Sequence, residues 1–368
     1  VKVEYQQNQA PTEIQRCIQD LILHHKKLSE EEAGRIFQVI LNGGATPPQT
    51  ASILTALAMR GETTDELLGA VKALRAKTKA FEIPEAVRDR LVDVCGSGGD
   101  KRFTLNISST VGLVVAACGV YVAKHGNRAV SSKSGSADVF SALGINLEAS
   151  DDKLLKCLRE AYFCFLMAPK FHFSMQHVMP IRRELGVRTI FNVLGPLINP
   201  LKPKRQLIGV FDKRWLLPIA NVLKSLGTVK AWVVSSDDGM DEISLSAPTQ
   251  VVELNNGVIR SFTINPQDYG FELLDNDALI TGDDAVYNAT AMRKILHNQH
   301  FSANIIASGP ESQIRNAYLD IVLLNSAAAL VVADKVATIG EGVALARQAI
   351  ESGKTRTVLD KIIEITNS

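Results

Sequence analysis

The sequence has little that would commit it to a special environment. Cysteine is scarce: Cys17, Cys95, Cys118, Cys157 and Cys164 are odd in number, widely spaced and free of any C-x-x-C pair. That pattern excludes a disulfide framework and a thiolate zinc site, and reads as reduced thiols. Charge of one sign is lacking too. Lys and Arg total 40 against 39 Asp and Glu, a formal net charge of +1, so no global field favours nucleic acid or an anionic membrane. No long apolar run occurs. Val111 to Ala123 is interrupted by Gly112, Gly119 and Tyr121 and is too short to cross a bilayer. The opening VKVEYQQNQA is polar and has no signal core. The expectation is a cytoplasmic protein with no membrane and no nucleic-acid partner.

What is present is ordinary globular material. The 368 residues are 46% hydrophobic, enough for about two domains. Four helices and no strand signal fill roughly the first 80 residues. Thr12 can cap a helix with Ile14, Ile18, Leu21 and Ile22 on one face. Ser29 and Glu32, then Thr63 and Glu66, have capping-box spacing. Thr46-Pro47 starts a helix that Gly61 stops. The texture changes near Pro84. Short apolar strands at Leu91–Cys95, Val120–Ala123, Gln206–Phe211 and Lys230–Val234 alternate with helical stretches such as Val111–Ala117 and Leu216–Leu226. Alternation of that kind predicts crossovers and a largely parallel sheet. Asn-Asn-Gly within Leu254–Ile264 is a hairpin signal. Helices over Asp320–Ala333 and Val343–Glu351 close the chain.

Five motifs can carry chemistry. Gly96-Ser97-Gly98-Gly99-Asp100 follows a strand. Its glycines let backbone N–H groups approach a phosphate, although a plain strand-to-helix turn would look the same. It lacks the Lys-Ser/Thr of a P-loop and the third glycine of a dinucleotide fingerprint. Thr104-Leu105-Asn106-Ile107-Ser108-Ser109-Thr110 opens an apolar helix, as an anion site or as ordinary capping by Asn106 or Ser108. Lys124-His125-Gly126-Asn127-Arg128 and the following Ser131 to Asp138 read as one basic, hydroxyl-rich loop at a sheet's carboxyl edge, where α/β folds bind ligands. In Asp237-Asp238-Gly239-Met240-Asp241-Glu242, adjacent carboxylates suit Mg²⁺ with substrate phosphate oxygens, or form an acidic surface turn. Arg182, Arg183 and Arg188 flank Gly186, and arginine is the natural bidentate partner of a carboxylate; spacing does not say which one faces a ligand. Together these parts ask for a ligand with phosphates and a sugar, a Mg²⁺ ion, and a second, carboxylated partner.

The combination GSGGD, NISS, KHGNRAVSSKSGSAD, RRELGVRTIFNVLGPLINP and DGMDEIS, in this order, resembles the anthranilate phosphoribosyltransferases from about residue 12 onward. The resemblance implies transfer of the phosphoribosyl group of phosphoribosyl pyrophosphate (PRPP) to the amine of anthranilate, a step of tryptophan synthesis that uses Mg²⁺. It implies a small all-helical domain plus a larger α/β domain with a mixed, mostly parallel central sheet. Residues 12–85, joined by about 174–200, would be the helical domain. Residues 86–173 and 201–368 would be the PRPP-binding domain, with the active site in the cleft. A homodimer through the helical domain is implied as well.

Carried over by motif, Gly96, Gly99, Asp100, Thr104, Asn106, Ser108, Ser109, Lys124, Asn127, Arg128, Ser131, Ser132 and Ser136 would serve PRPP. Gly96, Asn127, Arg182, His125 and His172 would serve anthranilate, with Arg182 on its carboxylate. Ser108, Asp241 and Glu242 would hold Mg²⁺. No residue is assigned as a general base. Three positions depart from the family pattern: Ser109 stands for Thr, Phe173 for Pro after His172, and Ser235-Ser236-Asp237 lacks a common His. The alternatives are a pyrimidine nucleoside phosphorylase, which the KHGNR loop and the Arg182–Asn192 segment oppose, and an inactive nucleic-acid-binding relative, which the intact glycine loop opposes.

Overall fold

The computed structural model describes residues 12–100, 102, 104–129, 133–274, 281–299 and 311–368. The chain divides into two units. One comprises the chain to Thr78 plus His172–Leu194; the other comprises Lys79–Phe171 and Gly195–Ser368.

The first unit is helical because its sequence is punctuated by caps. Thr12, Ser29, Thr46 and Thr63 each accept from the backbone N–H three residues on, and Gln15, Glu32, Gln49 and Glu66 return the bond. The resulting helices are Glu13–Leu23, Glu30–Leu41, Pro47–Arg60 and Thr64–Lys77. The first buries Ile14, Cys17 and Leu21. Ile22, expected on that face, is 49% exposed: the turn of the helix brings Cys17 round to the core and carries Ile22 past it. Glu66 is fully buried, yet it accepts from Leu28 N at 2.8 Å and pairs with Arg60, so its charge is compensated. Met179–Leu185 and Phe191–Leu194 complete the unit, and Phe191 packs edge-on against Phe37.

The second unit is built on a seven-stranded sheet of order β3-β2-β1-β4-β5-β6-β7. The strands are β1 Val92–Gly96, β2 Val122–Gly126, β3 Phe163–Met167, β4 Arg205–Gly209, β5 Lys230–Ser236, β6 Thr249–Asn255 and β7 Val258–Ile264. The first five are parallel, and β6 and β7 are antiparallel additions, which gives the mixed, mostly parallel sheet expected. Asn256 and Gly257 both have positive φ, the requirement of a two-residue hairpin turn. The order reverses between β1 and β4, so the loop after β1 lies at the topological switch point.

The strand expected at Val120–Ala123 lies two residues later. Lys124 and His125 therefore belong to β2 rather than to a solvated basic loop. Lys124 is only 2% exposed, and its burial is tolerated because Val94 O and Ser108 Oγ accept from its ammonium. The Ile107–Ala117 and Glu311–Val332 helices cover the sheet with almost wholly apolar faces. Among the described residues no helix is long and apolar enough to cross a membrane. All five cysteines are buried free thiols.

Candidate functional site

Four of the five motifs meet at the carboxyl edge of the parallel strands. Gly98 and Gly99 have φ of 68° and 79°, a left-handed turn that side chains resist. The turn folds the 96–100 loop back over β4: Ser97 N donates to Gly209 O at 2.8 Å, and Gly98 N donates to Asp241 Oδ2 at 2.7 Å. A Cβ at Gly96 would overlap the Asp241 carboxylate, and one at Gly209 would overlap the Asp241 backbone. These two glycines therefore permit the close passage of the 237–242 turn.

That turn sorts its four carboxylates. Asp237 pairs with Lys213 at 2.7 Å. Asp238 accepts from Met240 N and Ser244 Oγ within its own loop. Both are structural. Asp241 and Glu242 instead turn inward. Enclosure by the protein raises the pKa of each; the charge of Asp100 adds to the rise at Asp241, and that of Asp241 to the rise at Glu242. Asp100 is likewise raised by burial. Lys124 opposes the rise at Glu242.

Glu242 Oε1 accepts from Ser108 N at 3.2 Å, in the first turn of the Ile107–Ala117 helix. A carboxylate from a distant loop thus occupies that helix's positive end. Neither capping reading of the sequence holds there. Asn106 stands at the cap position without a side-chain cap bond, and its Oδ1 accepts from Asn288 at 2.9 Å. Ser108 Oγ accepts from Lys124 at 3.2 Å. Ser109 is buried, and half-buried Thr104 forms an antiparallel bridge with Thr281.

After β2, Asn127 and Arg128 are exposed. Asn127 O accepts from Ala137 N and from Ser136 Oγ. Arg128 pairs with Asp138 at 3.0 Å, and Asp138 also accepts from Ala129 N and Gly135 N. Burial would raise the pKa of Asp138, but these bonds outweigh it and hold the carboxylate below its usual range. Ser131 and Ser132 lie outside the described residues. His125 Nδ1 lies 3.1 Å from Gly195 O; a carbonyl only accepts, so Nδ1 carries the proton.

In the helical unit, Arg182 is partly buried and stacks its guanidinium over Phe191 at 5.5 Å. It has no carboxylate partner among the described residues, and burial lowers its pKa. Arg183 and Arg188 are exposed. His172 is buried, with Nδ1 3.3 Å from Thr78 Oγ1, whereas Phe173 is 62% exposed.

Two supports escape sequence reasoning. Asn199 Nδ2 bonds both Asp93 Oδ2 and Ala123 O at 2.8 Å, tying β1 to β2 beneath the site. Asn288 holds Asn106. The signal for Asn199 is faint: one amide in an apolar GPLINP stretch.

A sheet-edge site of glycines, one buried lysine and crowded carboxylates, in a chain that also carries a separate helical unit, defines a glycosyl transferase architecture. Residues 88–356 match the glycosyl transferase family, a/b domain, and residues 15–78 match the glycosyl transferase family, helical bundle domain. The chain is 47% identical over 340 residues to the anthranilate phosphoribosyltransferase of Mesorhizobium japonicum, covering 92% of this chain and 95% of that one. It is also 47% identical to that of Azospirillum brasilense, covering 93% and 90%. The crystal structure of the Thermus thermophilus anthranilate phosphoribosyltransferase superposes with a TM-score of 0.84 at 35% identity, over 96% of this chain and 99% of that one. The Saccharomyces cerevisiae enzyme in complex with PRPP and Mg shares the fold, with a TM-score of 0.83 at 24% identity, over 96% and 98%. The chain belongs to the anthranilate phosphoribosyltransferase family.

Proposed function

We propose that this chain transfers the phosphoribosyl group of PRPP to the amine of anthranilate, giving N-(5-phosphoribosyl)anthranilate and pyrophosphate. The observation that carries this reading is the meeting of Asp241, Glu242, Lys124 and the first turn of the Ile107–Ala117 helix at the sheet's switch point, in a chain of this family.

The donor set suits Mg²⁺. Two enclosed carboxylates with raised pKa values want a cation near them. Among the described residues no three acidic, His or Cys side chains form a ready-made metal cage, so substrate oxygens would complete the coordination, as is usual for Mg²⁺. Asp241, Glu242 and the Ser108 hydroxyl are the residues that would hold it. When bound, the ion neutralises charge on the departing pyrophosphate.

The chain's own residues do the rest. Lys124 spends two of its three N–H donors on Val94 O and Ser108 Oγ, leaving the third for a pyrophosphate oxygen. Asn106 and Ser109 sit at the same helix start, and with Gly96, Gly99, Asp100 and Thr104 they serve PRPP. Asn127, Arg128 and Ser136, with Ser131 and Ser132, serve the 5-phosphate side; Arg128 exchanges Asp138 for phosphate. Arg182, desolvated and with no carboxylate partner among the described residues, takes the anthranilate carboxylate. Asn127, Gly96, His125 and His172 serve the aromatic substrate. The C1–O bond to pyrophosphate breaks as the C1–N bond forms. The aryl amine becomes acidic once it has attacked and gives its proton to water, so no side-chain base is required.

The chain acts in the cytoplasm as a homodimer through its helical unit. The helices Glu13–Leu23 and Pro47–Arg60 pack together, and Leu23 and Met59 on them are 67% and 84% exposed, an apolar excess that a second copy would cover. Light scattering that gave only the monomer mass at micromolar concentration would refute the dimer.

The activity is tested by following the loss of anthranilate fluorescence with PRPP and Mg²⁺, beside Arg182→Ala. Consumption that requires both substrates and the metal, with a raised anthranilate KM in the variant, is the expected result. No consumption by folded protein overturns the reading.

A further inference from the structure

The Glu311–Val332 helix has an almost wholly apolar described portion, yet it carries Asn325 at 0% exposure. Both ends of this amide grip the backbone of one residue, Ile243. Ile243 N donates to Asn325 Oδ1 at 2.9 Å, and Asn325 Nδ2 donates to Ile243 O at 2.8 Å. The second Nδ2 proton goes to Ile321 O of its own helix at 2.8 Å. Since Ile321 O can only accept, the amide cannot flip without losing all three bonds. The gripped residue directly follows Asp241-Glu242.

Two turns earlier, on the same face of the helix, the Tyr318 hydroxyl lies 2.6 Å from Thr110 Oγ1, which also bonds Asn106 O at 3.1 Å. One helix face thus holds both walls of the site. Tyr318 fixes the first turn that bears Ser108, and Asn325 fixes the loop that bears the carboxylates. The bond from Ser108 N to Glu242 joins the two walls at 3.2 Å.

Ile243 directly follows Glu242, so a helix that fixes both the N–H and the C=O of Ile243 fixes the end of the segment that carries Asp241 and Glu242. We propose that Asn325 is a positioning residue that holds Asp241 and Glu242 in place to receive the divalent cation. The inference rests on the reading of those two carboxylates as metal-binding.

The test uses Mn²⁺ as the probe, with PRPP present and anthranilate omitted so that no turnover occurs, and free Mn²⁺ read by electron paramagnetic resonance. Asn325→Ala is compared with wild type, with Asp241→Ala/Glu242→Ala, and with Ser326→Ala, a buried neighbour on the same helix. Asn325→Ala, still melting cooperatively, is expected to weaken Mn²⁺ about ten-fold or more, the usual scale for a group that orients metal ligands. It should raise the Mg²⁺ requirement more than it lowers kcat. Ser326→Ala should match wild type. Should Asn325→Ala fail to fold, Asn325→Asp has the same shape, keeps the acceptor for Ile243 N and drops the donor to Ile243 O, and the same weakening is expected of it. A folded variant that binds Mn²⁺ within two-fold of wild type overturns the positioning role alone. Unchanged binding by Asp241→Ala/Glu242→Ala overturns the metal reading and the inference with it.

Discussion

The two edges of the parallel sheet are opposite solutions to placing charge at strand ends. At the amino edge, a cavity of about 550 Å³ is lined by Asp89, Arg90, Tyr121, Lys204, Arg205 and Asp334, among others. Each of its carboxylates already has a cation: Asp89 has Lys204, and Asp334 has Lys230 at 2.6 Å and Arg205 at 2.8 Å. Helix ends point their negative poles toward this edge, and its cations answer them as well. At the carboxyl edge Asp100, Asp241 and Glu242 crowd together, and the Lys124 ammonium and the Ser108 N–H oppose the raised pKa of Glu242 without cancelling it. Unbalanced charge marks the carboxyl edge as the candidate ligand site.

The carboxylates separate the two edges most sharply. Asp241→Ala/Glu242→Ala should lower kcat/KM by about 10³-fold, whereas Asp334→Ala at the other edge should stay within about two-fold. Equal losses in the fluorescence assay would show that charge balance does not distinguish the edges. Lys124→Met follows, with kcat/KM for PRPP down about 10²-fold; an unchanged value would remove the lysine from the site.

Next is a change in support rather than chemistry. Asn199→Leu takes a donor from Asp93, a fully buried carboxyl whose pKa burial raises, and should cost about 2 kcal/mol. The urea midpoint measures it, and an unshifted midpoint would mean that Asp93 is protonated and content without the amide.

The smallest effect is Asp334→Asn. Burial pushes the Asp334 carboxyl up, but hydrogen bonds from Lys230 and Arg205 outweigh it and leave it below the usual range. A depressed carboxylate contributes stability above its unfolded pKa of about 3.9 and loses it as pH falls through the folded value. Half of this side chain is exposed, so screening limits the loss to under about 1 kcal/mol. The Tm gap between variant and wild type at pH 7 should close below about pH 3. A gap that persists there would point to packing instead.

Much of the architecture was legible because it is written in short-range chemistry. The capping pairs Ser29/Glu32 and Thr63/Glu66, the stop at Gly61 and the Asn-Asn-Gly turn act within a few residues, so spacing alone reveals them. β2 was harder. Lys124 and His125 look like loop residues until Val94 O, Ser108 and Asp93 supply partners for them. The Phe163–Met167 strand and the Lys354–Asn367 helix carry no clear local signal; FCFLM is too short an apolar run to declare its type.

By itself the sequence determined the helix caps, the glycine turns, the mixed α/β class and the set of motifs that resemble one family. Tertiary structure alone decided which members of those motifs face one another. Asp237 and Asp238 are spent on their surroundings, while Asp241 meets Gly98 across 143 positions and Glu242 meets Ser108 across 134. Asn325 is one amide in an apolar helix until Ile243 lies against it. Hydrogen bonds and charges act over a few ångströms of space, whatever the separation along the chain, so only the fold brings these partners within reach.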